Sequence, residues 1–255
     1  MPFTVSHAAA VLPLQRVGAL RLPLTALMIG SMAPDFGYFF SREESRQVTH
    51  SFAGLFTFSL PMGMLVWLFY IVLLEKATIT LLPDRWHTRF AHTGAITPSL
   101  VLRSCIGVLL GAVTHLFWDA FTHRGTFITN HFPGLLAPTP LPLLTWLPIY
   151  HLLQGLSSIV GLAILMFWMR HLHTQPARSL IRPYHVSKRA RHAANWLLLA
   201  ASAIGALIEW LPYAHSDYDN QWFAGCAGLM SGFFVAWCCI AGTLWFRARK
   251  IRGAV

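Results

Sequence analysis

Charge is what this 255-residue chain has least of: 11% of its residues are charged, and only nine are acidic. A soluble chain carries about a quarter charged residues. Charge this sparse cannot cover a water-soluble globule, and 55% hydrophobic residues with a mean hydropathy of +0.54 point the same way. Cysteine is scarce too. The four (Cys105, Cys226, Cys238, Cys239) each sit inside an apolar run, which argues against a disulfide framework and predicts small buried residues. No short apolar core precedes a small-residue cleavage site near the start, where the first positive charge is Arg16. No cleavable leader is therefore expected, and an internal span is expected to direct insertion.

What the chain has instead is long apolar runs. A bilayer core takes roughly 20 apolar residues in helix, because backbone polar groups there must be satisfied internally. Five segments reach that length: 51–74, 100–123, 152–169, 194–211 and 223–246. The fold class expected is all-α, a polytopic integral membrane helix bundle in one membrane domain. Pro61 in the first span is tolerable as a kink. A further apolar stretch, 8–32, is interrupted by Pro13, Arg16, Arg21 and Pro23. It reads as a pair of short helices that lie in the interface or re-enter it. Gly228 and Gly232, four apart on the fifth span, read as helix packing.

Lysine and arginine set orientation. Fourteen of the nineteen fall in the segment after the first span, with Arg103 just inside the second, the loop 170–193 and the tail after 246. The C-terminus is expected in the cytoplasm, with 1–50, 124–151 and 212–222 facing outward. The net charge of +10 is then an orientation signal, and nucleic-acid binding by the loop 171–192 is not expected. A small transporter would place ionisable residues near mid-bilayer in inverted repeats. Here they gather at one end, without such repeats.

The sharpest pattern is His115-Leu-Phe-Trp-Asp119-Ala-Phe-Thr-His123. Residues four apart share a helix face, so these three form one polar stripe, continued backward at the same spacing by Gly111 and Gly107. Glycine there lets a neighbouring helix approach beneath the polar groups. Ionisable side chains in a span are costly and mark function by default. The plain alternative is a hydrogen-bonded His–Asp pair used for packing. His7, with Ser6 as a candidate N-cap, Asp35 in Ala-Pro-Asp-Phe, and His50 just before the first span all fall on the same outward side. Three histidines and two carboxylates at one level suit zinc, manganese or iron. Arg124, beside His123, is a candidate clamp for a phosphate, and Arg42 and Arg46 share that possibility. His87 and His92 fall on the opposite side.

The runs Pro-Phe-Thr-Val-Ser-His-Ala-Ala-Ala, Gly-Ser-Met-Ala-Pro-Asp-Phe, Thr-His-Ser, Gly-Ala-Val-Thr-His-Leu-Phe-Trp-Asp-Ala-Phe-Thr-His-Arg-Gly and Tyr150-His-Leu-Leu-Gln154-Gly-Leu-Ser-Ser158 resemble an uncharacterised bacterial inner-membrane family of unknown function. That family looks related to membrane-bound metal-dependent hydrolases and, distantly, to zinc-dependent phospholipases C and single-strand-specific nucleases. The resemblance implies a first metal on His50, His115 and Asp119, with Asp35 an added ligand or the general base. It implies a further metal on His7 that shares Asp119. His123 would begin another site, but no HxxxE follows it, and His151 and Gln154 are the nearest substitutes.

The expectation is thus a metal-dependent phosphoester hydrolase with one or two divalent ions, zinc by preference. Asp35 and Arg124 would act in catalysis, and membrane lipids would be neighbours and candidate substrates, at the outer face of a bacterial inner membrane. The alternative is a non-enzymatic structural or regulatory protein that uses the same cluster as a clamp.

Overall fold

A computed structural model describes residues 3–16, 21–39, 44–87, 95–142, 144–174, 184–216 and 218–252. The helices used below are α1 (Leu24–Gly30), α2 (Glu44–Thr49), α3 (Phe52–Leu81), α4 (Pro98–Thr122), α5 (Phe127–His131), α6 (Ile149–Thr174), α7 (Lys188–Trp210) and α8 (Tyr218–Arg252). Five of them, α3, α4, α6, α7 and α8, are long and apolar enough to cross a membrane. The predicted spans coincide with these five to within one residue at the ends where they overrun them. The chain is a multi-pass helical membrane protein, and no strand occurs among the described residues.

Local chemistry starts and bends these helices. Ser51, Thr97 and Ser187 each accept a hydrogen bond at a helix N-terminus, from Gly54 N, Leu100 N and Ala190 N, satisfying donors with no partner in the first turn. Pro98 follows the Thr97 cap in the first turn of α4, where a missing N–H costs nothing. In α3 a widened π turn, Leu55–Ser59, immediately precedes Pro61. Proline cannot give the regular intrahelical bond, and such a turn absorbs the defect.

The chain divides into two units, the first comprising Met1–Trp67 and Ala95–Arg170. Its core is α1 against α4. A Cβ on Gly111 would collide with Leu27 O and Ser31 N, and one on Gly30 with the Val108 backbone. The glycine stripe therefore does admit a neighbour, and that neighbour is α1. Ala26 and Leu27 are completely buried in the contact. With seven residues α1 is about 10 Å long and too short to span, and it is the packed member of the expected pair. The first member is formed by 3₁₀ turns, Thr4–Ala9 and Pro13–Arg16. Ser6 lies inside the first turn rather than capping it: Phe3 holds the cap position, and the Ser6 backbone packs on Gly161 of α6.

The second unit comprises Leu68–Gly94 and His171–Val255. Here α7 and α8 form a hairpin in which Gly228 meets Gly205 and Gly232 meets Ala201 backbone to backbone, the packing expected of that glycine pair. Arg191 donates to Leu82 O at 3.1 Å and pairs with Asp84, while Asn195 donates to Leu81 O at 3.2 Å. These bonds satisfy carbonyls at the C-terminal end of α3. The hydrogen bond from Arg191 holds the Asp84 carboxyl below its usual value. His87, set aside in the sequence, bonds Leu82 O at 2.8 Å. The cysteines are free, as expected, but none is buried: three are half-buried and Cys239 is exposed. In a span, an exposed thiol faces lipid rather than water. Arg42, His92 and Asp217 lie outside the described residues.

Candidate metal centre

Four stretches of the first unit deliver the polar side chains. His115 and Asp119 stand one turn apart on α4, both buried. Asp35 comes from the 3₁₀ turn Ala33–Phe39 that follows α1. His50 sits at the junction of α2 and α3, and His7 in the turn Thr4–Ala9. Because α1 lies against the glycines of α4, its last carbonyls reach the residue one turn beyond Gly111. His115 Nδ1–H donates to Ser31 O at 2.8 Å. A carbonyl only accepts, so Nδ1 carries a proton and Nε2 is the nitrogen that faces inward.

Carboxylate oxygens of Asp35 and Asp119 both stand beside the His50–His115 pair. His50 Nε2 is 3.3 Å from His115 Nε2, 3.3 Å from Asp35 Oδ1 and 3.5 Å from Asp119 Oδ2. His115 Nε2 is 3.4 Å from Asp35 Oδ1 and 3.5 Å from Asp119 Oδ2. Ligands on a tetrahedral ion at about 2.0–2.1 Å lie roughly 3.3–3.4 Å apart. The five distances in this ring of donors match the spacing of ligands on one ion, and two sets of three could each hold a metal: Asp35, His50 and His115, and His7, His115 and Asp119. Asp35 Oδ1 is also buried without a hydrogen-bond partner, although two imidazole nitrogens stand beside it. Leaving a charged acceptor so is expensive, and a cation between these atoms removes the cost. The buried groups can hold a metal.

Outside the ring, the supports are in place. Thr4 Oγ1 donates to Asp35 Oδ2 at 2.7 Å, and Thr49 Oγ1 lies 2.9 Å from His50 Nδ1. His7 stacks on His115 with ring centroids 4.0 Å apart and Nε2 3.6 Å from Asp119 Oδ1. Both His7 Nε2 and Asp119 Oδ1 are buried without hydrogen bonds. His123 leaves the helix in an extended conformation, yet its Nδ1 returns to 3.3 Å from Asp119 Oδ2, and its Nε2 lies 3.5 Å from the amide nitrogen of Gln154. Burial, and then the field of His115, pulls His7 down to a pKa of about 4. Burial alone would raise the Asp35 carboxyl, but the His115 charge outweighs it and holds the group below the usual carboxylate range.

The structure therefore brings together His7, Asp35, His50, His115, Asp119 and His123. Arg124 is exposed in the turn that Gly125 closes at φ +77°, whereas Arg46 pairs with the ring. Its guanidinium lies 3.6 Å from Asp119 Oδ2 and donates to the Tyr38 hydroxyl at 3.1 Å. In the sequence Arg46 shares only the possibility raised for Arg124, and Tyr38, Thr4 and Ser31 carry no signal there. One signal was available: Arg46 precedes His50 by four residues, one helical turn.

A helical membrane protein with a buried His/Asp cluster at one end of a span is the class that fold and site define. The chain belongs to the family described as Domain of unknown function (DUF4184), whose model matches residues 1–244. That agrees with the resemblance to an uncharacterised family and gives no support to the wider link with hydrolases or phospholipases C. No curated protein and no solved structure matches the chain.

Proposed function

We propose that this protein is a membrane-embedded, metal-dependent hydrolase whose substrate is a phosphoester, lipid headgroups included, at the outer face of a bacterial inner membrane. The observation that carries the reading is the ring of His50, His115, Asp35 and Asp119 at metal-ligand spacing about the two imidazoles, with a buried carboxylate oxygen left unpaired. Two imidazoles and two carboxylates at this spacing suit zinc. When bound, such a metal lowers the pKa of a water and polarises a phosphoryl oxygen. Ser31 and Thr49 orient the two imidazoles, and Thr4 fixes Asp35. Asp35 has one oxygen in the ring and the other on Thr4, which favours ligand over base among the two roles expected of it. His7 Nε2 and Asp119 Oδ1, unpaired and 3.6 Å apart, are placed to take a proton from water beside the ring. The outer face follows from the lysine and arginine distribution.

One observation favours a second reading. All four donors of the ring are protein side chains, as in closed structural sites, which would make the cluster a clamp that ties the N-terminal turns to α4. Phosphomonoesters, phosphodiesters and phospholipids supplied with zinc, manganese or magnesium separate the two. The hydrolase reading expects turnover that His7→Gln lowers by about 10²–10⁴-fold while metal content stays. Turnover absent with every metal, in protein that holds its ion, would establish the clamp.

A further inference from the structure

We infer that Arg46, held by Tyr38, is the anion-recognition residue of this centre, so that the site takes an oxyanion of the phosphate type; this rests on the metal reading above. The side chains of the ring are nearly sealed, at 1–8% exposed, whereas Arg46 is 31% exposed while its guanidinium lies 3.6 Å from Asp119 Oδ2. It reaches from solvent to the edge of the ring. Two carboxylates balance a divalent ion, and the two ring imidazoles are neutral when they ligate. Arg46 then leaves the centre with one positive charge in excess at its open edge. A guanidinium presents a planar fork of N–H donors that fits phosphoryl oxygens. An anion that touches the metal at this edge is within its reach.

The arginine is also built in, not trailing. It lies on α2 one turn before His50, and it donates to the Tyr38 hydroxyl at 3.1 Å. The Tyr38 ring in turn stands 5.9 Å from that of His50. Tyr38 thus sets the guanidinium and borders a ligand at once. Arg124, the sequence's own candidate for this role, is exposed at the turn beyond α4.

The test uses the full chain in mild detergent, loaded with zinc and titrated with inorganic phosphate by calorimetry, with zinc content measured on the same samples. Wild type is expected to bind phosphate. Arg46→Gln should bind it roughly 10–100-fold more weakly, the loss of charge-assisted hydrogen bonds, with zinc content unchanged. Tyr38→Phe keeps the charge and removes only its support. A loss of about fivefold is expected there, and this variant carries the test if Arg46→Gln does not fold. Reconstitution in phosphatidylcholine vesicles with and without phosphatidic acid identifies the source. A lipid headgroup as occupant weakens apparent phosphate affinity in wild type but not in Arg46→Gln. A soluble phosphate leaves the titration the same in both vesicles. Zinc-loaded wild type that ignores phosphate, or an Arg46→Gln variant with wild-type affinity, overturns the assignment and leaves the metal centre standing. Wild type that takes up no zinc overturns both.

Discussion

Gly111→Ala perturbs the centre without touching any of its donors. The added methyl would collide with Leu27 O and with Ser31 N, inside the last turn of α1, where Ser31 N donates to Leu27 O at 2.9 Å. Either α1 withdraws from α4 or the turn opens. Both move Ser31 O from its place 2.8 Å from His115 Nδ1. Overpacking of this kind costs about 1–3 kcal/mol, and loss of a bond that orients a ligating histidine costs about 10–100-fold in metal affinity. Gly155→Ala on α6 is the control, since nothing lies within 4 Å of a Cβ there. Alanine's helix-forming advantage over glycine applies to both, so the difference isolates packing. Thermal unfolding in mild detergent and zinc competition against a chelating dye read the two effects. Gly111→Ala should unfold at lower temperature than Gly155→Ala and bind zinc more weakly. Equal midpoints and equal affinities would refute the claim that the glycine stripe positions the site.

Two further outcomes follow from the structure. The His7 pKa falls from 6.5 unfolded to about 4 folded, so the unfolded state binds more protons between those values and stability rises with pH across that window. The contribution is whole above pH 6.5 and is lost toward pH 4. Metal-free wild type should lose up to about 3 kcal/mol on that descent, and His7→Gln should show a flatter profile; parallel profiles would contradict it. On the orientation expected from lysine and arginine, a reporter active only outside the cytoplasm should work when fused after Ser216 and be silent after Val255. The reverse would put the centre on the cytoplasmic face.

What could be read from the sequence and what could not divide along physical lines. Spans were legible because lipid leaves no choice but long apolar helix. The His115–Asp119 pair was legible because helical spacing puts it on one face, and His50, Asp35 and His7 because they fell at the same end. Which arginine joins them was not legible. Arg124 is the sequence neighbour of His123, but Arg46 is delivered by a six-residue helix whose placement depends on tertiary packing. Ser31 could not be found from composition either, since it acts through a backbone carbonyl. The Ser6 cap failed for a related reason: the turn is 3₁₀, begins at Thr4, and seats Ser6 against α6 instead. The Thr4 Oγ1 bond to the second oxygen of Asp35 bears on its two expected roles, base or ligand, and spans 31 residues that no local spacing connects.

The central claim is that His50, His115, Asp35 and Asp119 enclose one metal ion. Metal content of wild type and His115→Ala, purified side by side in mild detergent without chelator, tests it most directly. The account predicts about one zinc per wild-type chain and background metal in His115→Ala that still shows helical circular dichroism. Wild type purified free of metal that takes up none when zinc is added, or His115→Ala with wild-type content, would contradict it.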